Sequence, residues 1–177
     1  MGSASAPDSA LLFCSALYHA EAPLDEAIRT LIGEFGDTLN ESEPMDFTFT
    51  DYYHREMGRP LHRMIIAFST LVERDCLPEV KTRTNDVEDS YRLNGKRRIN
   101  LDPGILTLEN VCLATTKPYS HRLYLGKGIW AEITLIYKGS SYQKLDWTYP
   151  DYASEPLIRI FNGLREDYKR RVPCRQA

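Results

Sequence analysis

The chain has 177 residues, of which 42% are hydrophobic and 27% charged, with ten Gly, ten Pro and a formal net charge of −3. That composition belongs to a globular domain and excludes collagen-like and low-complexity classes. No apolar run approaches the roughly 20 residues of a membrane-spanning helix. The small net charge conceals an asymmetry, because residues 1–95 hold 8 Lys and Arg against 17 Asp and Glu. Residues 96–138 reverse this, with 7 against 3, and residues 139–177 hold 7 against 5. Any anion-binding patch is therefore expected to come from the second half.

Residues 1–10 are small and polar and are read as a flexible N-terminal segment, with residues 11–177 forming a single α+β domain. The run Leu11–His19 predicts a strand. Pro23 then opens a helix with Leu24, Ala27, Ile28, Leu31, Ile32 and Phe35 at helical spacing, closed by Gly36. Met45–Thr50 and Leu61–Ser69 are strand-like. Pro78 starts a second helix, whose inner stripe is Leu77, Val80, Val87 and Tyr91. Lys96–Leu101 predicts a further strand, ended by a sharp turn at Asp102-Pro103-Gly104. This β-α-β-β-α-β order is that of a ferredoxin-like core. Both faces of its first and third strands are apolar, so a later element must cover the face that these helices leave free.

Thr107 is expected to cap a short helix carrying Leu108, Val111 and Cys112. Ser120–Leu125, Ile129–Tyr137 and Tyr142–Trp147 predict a C-terminal three-stranded antiparallel meander. In its middle strand Ile129, Ala131, Ile133 and Leu135 alternate with Trp130, Glu132 and Thr134. Ser154 and Pro156 open a terminal helix with inner residues Leu157, Ile158, Phe161, Leu164 and Tyr168. The cysteines at 14, 76, 112 and 174 form no C-x-x-C pair. A disulfide framework is not expected, and the chain reads as reduced and cytoplasmic, without a membrane partner.

Four polar stretches pack rings, prolines and charges too densely for loop filler: 50–56, 97–104, 117–128 and 147–152. In the third, Lys117, His121, Arg122 and Lys127 supply four cations, and Gly126 and Gly128 allow backbone N–H groups to approach an anion. The same residues also suit a plain hairpin whose cations face water. Arg97 and Arg98 add forked donors. Tyr52, Tyr53, Trp147, Tyr149 and Tyr152 would supply stacking walls. His121, Asp102 and Asp51 are the candidate acid–base groups, with Asp151 beside them. Asp102 and Asp51 meeting His121 would allow a divalent cation to bridge a phosphate. Glu132 is either buried opposite a cation such as Arg122 or exposed. No P-loop is present, because Gly126-Lys127 is followed by Gly128, and no G-x-S-x-G elbow occurs.

The stretches DFTFTDYYHREMG (46–58), RRINLDPGILTL (97–108), TKPYSHRLYLGKGIWAEITLIY (116–137) and WTYPDY (147–152) resemble the hallmark segments of domain-of-unknown-function family 4416. The resemblance implies a short single-domain prokaryotic protein and carries over no reaction and no catalytic residue. Some members of the family are labelled GTP-binding. This chain has neither the P-loop nor an N-K-x-D base-reading motif to support that label.

The residues themselves point to a phosphate-bearing ligand, a nucleotide or RNA end, held in a basic cleft lined by aromatic rings. Phosphoryl transfer or hydrolysis is the chemistry such a cleft would permit. The alternative is a non-catalytic RNA-binding or protein-interaction module.

Overall fold

A strand that is apolar on both sides must be covered on both sides. Strand β1 (Ala10–His19) meets that condition, and every residue from Ala10 to Tyr18 is buried. It lies between β4 (Leu61–Val72) and β5 (Ile99–Leu106), antiparallel to each. A computed structural model describes residues 3–172, so Cys174 lies outside the described residues. Within them a nine-stranded sheet runs in the order β2-β4-β1-β5-β6-β8-β7. The elements not yet placed are β2 (Thr38–Glu41), β6 (Asn110–Thr115), β7 (Leu123–Gly126) and β8 (Ile129–Lys138). In addition β3 (Met45–Asp46) pairs with β4, and β9 (Ser141–Lys144) with β8. All pairings are antiparallel.

The helices divide between the two faces. From α1 (Leu24–Phe35) and α3 (Leu77–Ser90), Ala27, Ile28, Leu31, Leu77, Val80 and Val87 pack on Leu12, Cys14, Ala16, Ile66 and Phe68. From α4 (Glu155–Lys169), Leu157, Phe161, Leu164 and Tyr168 pack on Leu11, Phe13, Ile65, Ala67 and Leu106. The rings of Phe13 and Phe161 meet edge to face at 5.1 Å. The terminal helix is thus the cover that the doubly apolar strands require. A fourth, one-turn helix, α2 (His54–Met57), borders a small cluster of Leu17, Phe47, Met57 and Leu61. Among the described residues no helix is long and apolar enough to cross a membrane.

The fold departs from the sequence pattern in several places. Of the expected strand 45–50 only Met45–Asp46 pairs, and the unforeseen β2 takes the outer edge of β4 instead. Thr107 caps a turn, not a helix: its Oγ1 accepts from the backbone N–H groups of Glu109 and Asn110, both at 3.2 Å. The chain then returns as β6, with Val111 and Leu113 on one side of the sheet and Ala114 on the other. Alternation in β8 breaks where the register slips from Cys112↔Ile133 to Val111↔Leu135. The extra residue, Thr134, turns Leu135 into the α4 core and leaves Ile133 40% exposed. Strands β7 and β9 share the edge of β8 opposite β6, one at each end.

The largest departure is at Asp102-Pro103-Gly104, which continues β5 and makes no turn. Pairing of β5 to β6 begins only at Gly104↔Leu113 and runs to Leu106↔Val111. Alternate backbone groups of a strand face the same edge, so Leu101, Pro103 and Ile105 all face toward β6. Proline has no N–H to donate, and the ladder stops there. From Pro103 back to Ile99 the two strands part. Leu101 is stitched instead to α3: its carbonyl accepts from Lys81 Nζ at 2.7 Å, and its N–H donates to Glu88 Oε1 at 2.8 Å.

At Gly104 the strand runs close against a ring and a neighbouring carbonyl. A Cβ built there would stand 2.6 Å from both the Cys112 carbonyl oxygen and Phe13 Cζ. Gly104→Ala is therefore expected to cost about 1–3 kcal/mol of stability in urea unfolding. An unchanged midpoint would show that β5 and β6 are not held as described.

Candidate functional site

The sheet face covered by α4 has a second, polar half. Register places Ser15 beside Asp102, Leu17 between Arg63 and Asn100, and Leu113 beside Glu132. These positions floor a cavity of about 760 Å³ in the gap where β5 and β6 part. Stretches 50–53, 97–102, 115–122 and 149–152, remote along the chain, all contribute to its wall. Helix α3 closes another side with Lys81, Asn85, Glu88 and Arg92.

Arg63 is a buried cation of this floor. Its Nη1 donates to Ser15 Oγ at 2.5 Å, and its Nε lies 2.9 Å from Asp151 Oδ2 as an ion pair outside hydrogen-bond alignment. The guanidinium sits between the Phe47 and Tyr152 rings, 5.1 and 5.3 Å from their centroids. Burial raises the Asp151 carboxyl above its ordinary value, against the pull of Arg63. Burial raises Glu88 likewise, against Lys81. Lys81 Nζ also lies 3.5 Å from Asp102 Oδ1, while Asp102 Oδ2 accepts from Asn100 Nδ2 at 2.8 Å. Asp102 is the accessible carboxylate of this floor, 29% exposed against 7% for Glu88. Its charge raises Tyr53 and Tyr152 further, beyond the effect of their burial.

A second cluster forms one wall. Glu132 Oε2 accepts from Arg122 Nε at 2.7 Å and lies 3.0 Å from His121 Nε2. Arg122 also donates to the Lys117 carbonyl and the Tyr149 hydroxyl, with its guanidinium 4.5 Å from the Tyr119 centroid. Of the two sequence-level alternatives for Glu132, burial against Arg122 is therefore the one realised.

The expected residues divide. Asp102, Arg97, Lys117 and Arg122 line the cavity, as do Tyr52, Tyr53, Tyr149 and Tyr152. The other five do not. His121 stands behind Glu132, stacked on Trp147 at 5.1 Å, and the Trp147 indole donates to the Ile133 carbonyl. Asp51 pairs with Arg59 and His54 in an exposed loop. Arg98 donates to the Glu21 carbonyl, and Lys127 pairs with Glu79. Asp51, Asp102 and His121 thus have separate partners, and among the described residues no group of three or more His, Cys, Asp and Glu is placed to hold a metal ion.

The lining is also not the basic hollow that the sequence suggests. Arg63, Lys81, Arg92, Arg97 and Arg122 each lie within ion-pair distance of a carboxylate. Lys117 alone among the cavity's cations has no carboxylate partner among the described residues; its Nζ lies 5.0 Å from the centroid of the Tyr52 ring. Clustered Arg and Lys recruit carboxylates because a buried cation is costly unless paired. Cys14 is no nucleophile here, since burial pushes its thiol far up.

Sequence reasoning missed Arg63 and the α3 residues. Their signals were present: one Arg within an apolar strand, and polar residues at 81, 85, 88 and 92 beside an apolar helical stripe.

Two consequences are measurable. Arg122→Ala leaves Glu132 buried without its main partner and should cost about 3–5 kcal/mol of stability, not the small effect of a mere ligand contact. Equilibrium denaturation checks this. Glu56 is held below its ordinary value of 4.5 by hydrogen bonds from Arg97. It therefore stabilises the fold above that value, and the contribution disappears as pH falls through the lowered one. Glu56→Gln should flatten the acid limb of a stability–pH profile, and an unaltered limb would count against the pair.

Neither a curated protein nor a solved structure matches the chain. A family model described as a domain of unknown function, DUF4416, matches residues 8–168, and the chain belongs to that family.

Proposed function

We propose that the chain binds a small phosphate-bearing ligand of nucleotide size in this cavity. The observation that carries the reading is Lys117, a cation with no carboxylate partner among the described residues, placed beside an exposed ring where four remote stretches converge. A volume of about 760 Å³ is the size of a small-molecule site. Tyr52, Tyr119 and Tyr149 are 65, 54 and 45% exposed at its wall, and such rings stack on a planar base. Lys117 supplies a point charge for a phosphate.

Convergence of the four stretches on one cavity favours this over the RNA-binding alternative. Strand-binding proteins track a backbone with many uncommitted cations, and here most are engaged. Asp102 is the group best placed for acid–base chemistry, being accessible and beside Lys81. The ferredoxin-like reading of the first half is supported by the order β2-β4-β1-β5, with α1 and α3 on one face.

Calorimetry with a panel of nucleotides and sugar phosphates tests the proposal. One-to-one, saturable binding is expected, weakened about tenfold or more in Lys117→Ala, with little change in melting temperature because the side chain is exposed. Absence of binding to every phosphate-bearing compound in the panel overturns the reading. Affinity spread over many nucleotides of RNA, lost steeply with salt, would favour the module instead.

A further inference from the structure

We infer that the cavity selects a nucleoside monophosphate, with the phosphoryl group at Lys117 and the ribose hydroxyls turned inward to Asp102, and that it disfavours the corresponding triphosphate. The inference rests on the reading that the cavity takes a phosphate-bearing ligand, and it names which.

The positive charge inside the cavity is already spoken for. In the interior Arg63 faces Asp151, Lys81 faces Asp102 and Glu88, Arg97 faces Glu56, and Arg122 faces Glu132. Arg97 grips Glu56 with both Nε and Nη2, at 2.9 and 2.7 Å. Such forked, partly or fully desolvated pairs are not given up to an incoming anion without leaving a carboxylate stranded. The interior therefore offers a phosphate chain no uncompensated positive charge.

Lys117 is different in kind. It is exposed and has no carboxylate partner among the described residues. One ammonium has three N–H donors and suits one phosphoryl group. A second and third phosphoryl would find no further cation without a carboxylate partner among the described residues of the wall, and would add charge near Asp102 and the other carboxylates.

The inner end has the opposite preference. Asp102 is an acceptor with partial exposure, beside Asn100, in a cavity that Asn85 of α3 also lines. An ionised carboxylate accepts hydrogen bonds and repels phosphate, so it suits the hydroxyls of a neutral sugar. The exposed rings of Tyr52, Tyr119 and Tyr149 are left for the base. A monophosphate ester of a polyhydroxylated body carrying a planar ring satisfies all three requirements.

The test is calorimetry on the full chain with AMP, GMP, CMP and UMP, the triphosphate of each without divalent cation, each free nucleoside, and ribose 5-phosphate. At least one monophosphate should bind about tenfold or more tightly than its own triphosphate, and more tightly than both its nucleoside and ribose 5-phosphate. Asp102→Asn removes the inner negative charge while keeping the shape. It should narrow the gap between monophosphate and triphosphate by weakening the first and relieving the second. A triphosphate binding as tightly as its monophosphate in the wild-type chain overturns this inference and leaves the parent proposal standing. Ribose 5-phosphate matching the best monophosphate does the same. Failure of every phosphate compound, including sugar phosphates, overturns both.

Discussion

The parting of β5 from β6 is the constraint on which the rest of the molecule depends. Pro103 removes a ladder donor on the edge facing β6, and the strands separate before it. An open edge inside a sheet would leave buried backbone groups unsatisfied. Lys81 and Glu88 solve this by bonding the carbonyl and N–H of Leu101, so a helix supplies what the neighbouring strand does not. Both side chains are thereby drawn into the interior, two helical turns apart on α3. The cavity is the space that this substitution keeps open.

The sheet face is consequently divided. Its apolar half, around Phe13, Ile65 and Leu135, is sealed by α4. Its polar half, around Ser15, Arg63 and Asp102, is walled by loops rich in tyrosine. A single β-bulge at Thr134 contributes to both halves, since it lets Glu132 face the cavity while Leu135 enters the α4 core. Packing and site are thus set by the same local irregularities. The charges of the polar half come mostly as ion pairs, and Lys117 is the lining cation that has no carboxylate partner among the described residues.

Much of the scaffold was legible from periodicity. The doubly apolar run at 11–19 and the helical stripes beginning at Leu24, Leu77 and Leu157 each have one physical reading. The four polar stretches were recognisable because rings and charges crowd there. Less legible was anything decided by a partner strand. Val111 and Cys112 fit a short helix as well as a strand until Leu135 and Ile133 lie beside them. Asp102-Pro103-Gly104 has the chemistry of a turn, and becomes a strand only because β1 pairs along its whole length. His121 and Arg122 look like free cations in sequence, yet Glu132, ten or eleven residues away, claims them both.

The order of residues by itself determined which segments must be buried, where helices begin, and which stretches hold the polar chemistry. Those properties depend on local spacing and on hydrophobicity, which short windows express. Tertiary structure alone decided which charges are paired and which are not. Ion pairing acts through space over a few ångströms, so the neutralisation of Arg63 by Asp151 or of Arg97 by Glu56 is invisible until the chain closes on itself.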